Sequence, residues 1–199
     1  MAFADFTFPQ VQQALGLVVD ETDLFSPVPA VPLREEFVTT LMDGATIALA
    51  VNTEKAKSEF IIAPILLELR RLLGGAVGMF SGIALEVDPT KGLTGVCDFL
   101  LTKAARQFLL SAPVIAIVEA KNDNLRSGLG QCIAEMYAVD LYNQQEGSLV
   151  TVVSGVVTTG SAWKFLRLEN TTVTLDLKEY YIDNLGKIIG VLKYIVENA

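Results

Sequence analysis

Residues 113–123 read PVIAIVEAKND, and this stretch decides the fold. Its first six residues form an unbroken apolar run, which is typical of a strand buried on both faces of a sheet. Glu119 and Lys121 end the run one residue apart. Because side chains alternate along a strand, these two charged groups share one face and Ala120 points to the other. The pattern therefore predicts a core strand that presents an acid and a base together.

Two strands are predicted immediately before this one. Residues 81–87 (SGIALEV) lead into the turn DPTKG, and residues 94–102 (TGVCDFLLT) return from it, which indicates a hairpin. Further strands are predicted within residues 148–159 and over residues 162–169 and 172–177. Trp163 and Phe165 alternate with Ala162 and Lys164 on one of them, which favours core packing over the alternative of base stacking.

Helices separate these strands. A helix is predicted from about Glu54 to Leu73, begun by a cap at Asn52-Thr53, ended by Gly74-Gly75 and kinked at Pro64. A second helix is predicted over residues 129–144, and a third, with one apolar face, over about residues 182–196. The order of helices and strands predicts an α/β protein, namely an α/β/α sandwich with a mixed central sheet.

The first 52 residues have a different character, and we expect them to be an appendage packed on a core of residues 53–199, within a single domain. Residues 8–17 have helical spacing. Residues 25–33 contain three prolines and are expected to be extended. Residues 33–42 predict a short helix that ends at Asp43-Gly44.

Composition narrows the classes of function. The chain has 199 residues, a net charge of −8 and no histidine. The missing histidine excludes a Ser-His-Asp triad and a His-ligated zinc, so a metal must sit on carboxylates and carbonyls, which favours Mg²⁺ or Mn²⁺. Without a long apolar run or a secretory signal, we expect no membrane segment and a cytoplasmic location, with Cys97 and Cys132 as buried reduced thiols.

The predicted order of the strands brings two carboxylates near each other. Asp98 lies just after the centre of residues 94–102. If that strand and 113–121 are neighbours, Asp98 approaches Glu119, and the two carboxylates repel unless a cation lies between them. A divalent cation resolves the conflict, and Lys121 beside it can stabilise developing negative charge or position a water. The hypothesis is a hydrolytic metal site.

Asp98, followed after about twenty residues by Glu119-Ala120-Lys121 at the end of an apolar strand, resembles the PD-(D/E)XK nuclease superfamily. The resemblance covers roughly residues 53–160 and implies the restriction-endonuclease-like fold. In that superfamily an upstream helix often supplies an acid, for which Glu59 is the candidate, and the next helix often carries a glutamine, here Gln131.

The resemblance has one departure. Tyr137 follows Gln131 on the same helix, but Glu135 stands where the Q-x-x-x-Y spacing of some branches has its tyrosine. The role of Tyr137 is therefore open.

The resemblance implies Mg²⁺ (or Mn²⁺) bound by Asp98, Glu119 and the carbonyl of Ala120, with Lys121 orienting the attacking water or neutralising the transition state. Glu59 would act through a water; the alternative is a solvated helical glutamate, like most. The implied reaction is hydrolysis of DNA phosphodiester bonds.

Other interpretations stay open. A nuclease fold can serve as a silent binding or assembly module. The acidic charge favours that reading, or a partner subunit that supplies DNA binding. The apolar C-terminal helix is compatible with a homodimer. Basic residues near the proposed site form either a local positive rim or an ordinary mixed-charge surface: Lys55, Lys57, Arg70, Arg71, Lys103, Arg106 and Arg126.

Overall fold

The computed structural model describes residues 1–104 and 108–199; Arg106, one of the basic residues considered above, lies outside the described residues. The helices of the described ranges are α1 (Phe8–Leu15), α2 (Glu35–Val51), α3 (Glu54–Lys57), α4 (Ala63–Leu72), α5 (Leu125–Gln145) and α6 (Leu185–Glu197). The strands are β1 (Val18–Thr22), β2 (Gly78–Asp88), β3 (Leu93–Thr102), β4 (Val114–Ala120), β5 (Val152–Thr158), β6 (Ala162–Glu169), β7 (Thr172–Asp176) and β8 (Tyr180–Tyr181).

All these strands belong to one mixed sheet. Its order is β1-β7-β6-β5-β4-β3-β2, and β8 pairs with β6. The β4–β5 and β1–β7 pairs are parallel, and the hairpin partners β2 and β3 are antiparallel, as are β3 and β4. Every residue of β4 is buried, as its continuous apolar run predicts. The strands predicted from residue 81 onward are confirmed.

Helices cover both faces of the sheet. One hydrophobic core joins the sheet to α5, α1 and the N-terminal residues, and the other joins it to α2, α4 and α6. The α/β/α sandwich with a mixed central sheet is therefore confirmed. No helix in residues 1–104 or 108–199 has the length and apolar character needed to cross a membrane.

The first 52 residues are built into this sandwich. Strand β1 lies parallel to β7 at one edge of the sheet, with Val18 opposite Thr172. Phe3, Phe6 and Val11 are buried beneath α5. The segment also supplies an edge strand of the sheet, which its exposed sequence VVDET did not signal because no face of it is apolar.

The helix predicted over residues 33–42 does not end at Asp43-Gly44, so that prediction is wrong: α2 continues to Val51. A Cβ at Gly44 would lie 2.9 Å from the carbonyl oxygen of Phe60. The glycine therefore permits a close crossing of two helices and does not mark a helix end.

Pro64 lies in the helical stretch that runs from Glu54 to Leu72. The turn before it, Ser58–Ile62, is a π-helix between α3 and α4. Proline cannot donate the backbone hydrogen bond to residue 60, and a wider turn accommodates that loss. The predicted irregularity at Pro64 is confirmed.

The C-terminal helix uses its apolar face within the chain. Ile188, Ile189 and Leu192 of α6 are fully buried against the sheet. The dimer hypothesis therefore lacks the free helix face on which it was based. Trp163 and Phe165 are also fully buried, which confirms core packing over base stacking.

Candidate active site

The site lies where β3 and β4 run side by side. Phe99 pairs with Val118 in antiparallel register, so Asp98 and Glu119 occupy adjacent positions on neighbouring strands. Asp98 Oδ2 accepts a hydrogen bond from the backbone N–H of Ala120 at 2.8 Å. The Asp98 carboxyl therefore lies against the backbone of β4 next to Glu119, and its charge acts on the Glu119 carboxyl.

Lys121 connects this pair to α5. Its ammonium group lies 2.6 Å from Glu119 Oε1 and donates to Gln131 Oε1 at 3.0 Å. The amide of Gln131 in turn donates from Nε2 to Glu135 Oε1 at 3.0 Å. Four polar side chains thus form one continuous hydrogen-bonded chain from β4 into α5.

Two of these groups are buried carboxyls with a free oxygen. Glu119 is 2% exposed and Glu135 is fully buried. Among the described residues, neither Glu119 Oε2 nor Glu135 Oε2 has a hydrogen-bond partner. Buried polar atoms without partners are uncommon in folded proteins, and such atoms often mark a ligand or functional site.

Burial and mutual repulsion shift the acidity of the site. Burial, followed by the charge of Asp98, raises the pKa of Glu119 to about 7 against the opposing pull of Lys121. The pKa of Asp98 is raised chiefly by burial. Burial, with the nearby charge of Glu119, raises the pKa of Glu135 well above its ordinary value. Burial works to lower the pKa of Lys121, but Glu119 outweighs it, so the net shift is upward.

Glu54, the first residue of α3, carries a charge that acts on these groups. Its charge contributes to the raised pKa values of Asp98, Glu119 and Lys121. Glu59, the residue proposed from the resemblance, is half exposed, and its carboxylate lies 2.7 Å from Lys55 Nζ.

Beside Asp98 a groove of about 310 Å³ opens to solvent. It is lined by Glu54, Lys55, Ser58, Ser81, Gly82, Asp98 and Phe99. Through this groove the Asp98 carboxyl is accessible from solvent.

Local contacts hold the loop between β4 and α5. The buried Lys57 ammonium donates to the carbonyl of Asn122. Asn124 caps α5 by accepting from the N–H of Arg126 at 2.9 Å. A Cβ at Gly128 would lie 3.0 Å from Lys121 Cγ, so this glycine leaves room for the lysine stem to cross the helix.

Several members of the hypothetical basic rim are engaged elsewhere. Arg71 pairs with Glu68, Arg70 donates to the carbonyl of Val77, and Lys103 donates to the carbonyl of Ala199. Together with the buried Lys57, these contacts favour the mixed-charge surface over a continuous positive rim.

Sequence reasoning assigned no role in the site to Glu54 or Glu135. The signal for Glu135 was its spacing, since residues four apart on a helix lie on one face and Glu135 follows Gln131 at that distance. The two cysteines are free thiols buried in the structure, as expected. Tyr137, whose role was open, packs partly buried against the core beneath α5.

The site offers Mg²⁺ only a small number of carboxylate ligands. In the described part of the chain, no group of three or more acidic or cysteine side chains is arranged around a common metal position. Mg²⁺ commonly keeps several waters and uses only one or two protein carboxylates. The partnerless Oε2 of Glu119, next to Asp98, is compatible with such a cation.

No protein-family model matches the chain, and no curated protein matches it either.

Proposed function

We propose that the chain is a magnesium-dependent nuclease of the PD-(D/E)XK type that hydrolyses DNA phosphodiester bonds. The observation that carries the proposal is the buried Glu119 next to Asp98, with Lys121 on Glu119 Oε1 and no partner on Oε2 among the described residues. A buried carboxyl beside a second, half-buried carboxyl costs stability, because burial and mutual repulsion both oppose ionisation. A catalytic role explains why a sheet would contain them, because functional sites are where such pKa shifts concentrate.

Each side chain has a role in this proposal. Asp98, Glu119 and the Ala120 carbonyl would hold Mg²⁺ (or Mn²⁺), which when bound supplies positive charge to the phosphate. Lys121 orients the attacking water or stabilises charge on the phosphate oxygens. Gln131 holds the lysine ammonium through its amide oxygen. Glu54 adds negative charge at the groove.

The charge of the chain bears on how DNA would be bound. A net charge of −8 opposes the approach of a polyanion, and several basic side chains near the site are already paired. We therefore include a partner subunit that supplies the DNA-binding surface.

The same observation favours a second candidate, a nuclease-fold protein that no longer cuts and acts as a binding or assembly module. In that case Lys121 would serve as the permanent counter-ion of Glu119. A homodimer is compatible with either function.

Cleavage separates the two candidates. Plasmid and single-stranded DNA are incubated with the protein and Mg²⁺ or Mn²⁺, beside Glu119→Gln and the surface control Glu169→Gln. The nuclease proposal expects metal-dependent cleavage by the wild type and by the Glu169 variant only. Metal binding without cleavage of either substrate would favour the binding module.

A further inference from the structure

We infer that Glu135 is a positioning residue that sets the orientation of the Gln131 amide and, through it, the position of the Lys121 ammonium. The inference rests on the proposed function for its consequence in catalysis. Its structural part stands on the three hydrogen bonds that join four side chains in the described residues.

The side-chain amide of glutamine has an oxygen that accepts hydrogen bonds and an NH₂ group that donates them. Lys121 can only donate, so Gln131 must turn its oxygen toward the ammonium, as observed at 3.0 Å. The Gln131 NH₂ group then points along α5 and needs an acceptor. Glu135 Oε1, one helical turn further on, accepts from it at 3.0 Å. If this acceptor is removed, the amide loses the contact that keeps its oxygen on the lysine.

The rigidity of this arrangement comes from burial. Glu135 is fully buried on α5, whereas Gln131 is only partly buried and Lys121 reaches the site by crossing Gly128. The buried carboxyl is the fixed end of the hydrogen-bonded chain and the lysine is the functional end. Because the position of a catalytic group matters on the scale of one ångström, a loose Gln131 would weaken catalysis without removing any group that touches substrate.

The same helix offers a matched control. Asp140, also buried, accepts from Gln144 Nε2 at 2.7 Å. This carboxyl–glutamine pair has the same spacing of four residues but has no contact with Lys121. Asp140→Leu therefore removes a comparable buried acceptor from the same helix outside the site.

Cleavage kinetics give the first test. We expect Glu135→Leu to lower kcat by roughly a hundredfold with little change in KM. Glu135→Gln keeps an acceptor oxygen of the same shape and is expected to recover most of the loss. In a Gln131→Leu background, Glu135→Leu is expected to add nothing further. Equal losses in Glu135→Leu and Asp140→Leu, or a second full loss in the double variant, would overturn the inference.

A spectroscopic test does not depend on cleavage. The ¹⁵N resonance of the Lys121 ammonium and the side-chain amide of Gln131 are followed by NMR in the full chain. Glu135→Leu should accelerate hydrogen exchange at both groups, whereas Glu135→Gln and Asp140→Leu should not. Unchanged exchange in Glu135→Leu would overturn the inference even if the wild type cuts DNA. Changed exchange in a protein that cuts nothing would support the positioning role and reject the nuclease.

Discussion

The Lys121 ammonium lies 2.6 Å from one oxygen of Glu119, and the other oxygen of that carboxyl is buried without a partner in the described residues. Both side chains come from one face of a strand end, as their spacing predicts. Lys121 therefore pairs with one oxygen of this carboxyl group, and we propose that a metal ion binds through the other.

The raised pKa of Glu119 makes stability depend on pH. Its pKa is about 7 in the fold, above its ordinary 4.5, so the folded state holds a proton that the unfolded chain has lost. The contribution of this proton to the free energy of unfolding is fully present below about pH 4.5 and is lost as the pH rises through about 7. In urea unfolding without metal, we expect this group to contribute about 2 to 3 kcal/mol less at pH 8 than at pH 5.

Glu119→Gln should flatten that part of the profile, since glutamine does not titrate. The exposed Glu169→Gln serves as the control and should keep the wild-type slope. Parallel profiles for wild type and Glu119→Gln would show that Glu119 is ionised normally.

Lys121→Met removes the ammonium but keeps most of the apolar stem. We expect kcat for DNA cleavage to fall by roughly a hundredfold or more, because the charge that stabilises the transition state is gone. Mg²⁺ affinity should not fall, since the competing cation has been removed. Lys193→Met, at an exposed pair with Glu197, is the control. Wild-type kcat in Lys121→Met would assign Lys121 a purely structural role.

The effects of Glu54 and Glu59 on the pKa of Glu119 can be measured separately. Since the Glu54 charge raises the pKa of Glu119, Glu54→Gln should lower that pKa. Glu59→Gln should change it less, because Glu59 is paired with Lys55. Carboxyl ¹³C NMR titration measures both. A larger shift from Glu59→Gln would return the upstream role to the residue that the resemblance suggested.

The docking of the N-terminal segment depends on Gly130. A Cβ there would lie 2.2 Å from the carbonyl oxygen of Phe6. We expect Gly130→Ala to destabilise the protein by about 1–3 kcal/mol, although alanine favours a helix by about 1 kcal/mol. Gly44→Ala, with a milder contact of 2.9 Å, should cost less. Thermal unfolding measures both, and a Gly130→Ala protein as stable as wild type would mean that the segment is loosely attached.

The sequence predicts those parts of the sheet and its helices that depend on short-range patterns. The apolar run of β4, the turn between β2 and β3 and the periodicity of α6 all report short-range structure. Strand β1 was not predicted, because it has no apolar face and its pairing with β7 joins residues 18–22 to 172–176, far apart in the chain. The continuation of α2 past Gly44 depends equally on a distant contact, the carbonyl of Phe60.

Short-range patterns also predict part of the candidate site. Asp98, Glu119 and Lys121 follow from strand alternation and pairing of adjacent strands. Choosing among the glutamates of the upstream helix requires knowing how that helix faces the sheet, and the π-helix at Ser58–Ile62 changes that orientation. Glu135 was visible as a departure from a motif, but its contact with Gln131 appears only in the fold.

Isothermal calorimetry of Mg²⁺ and Mn²⁺ with wild type and Glu119→Gln, run beside DNA cleavage, tests the central claim most directly. The account predicts metal binding by the wild type, its loss in the variant, and metal-dependent cleavage that disappears with it. No binding at millimolar metal and no cleavage would contradict the nuclease, leaving Glu119 and Lys121 as an ion pair in a protein that works by holding a partner.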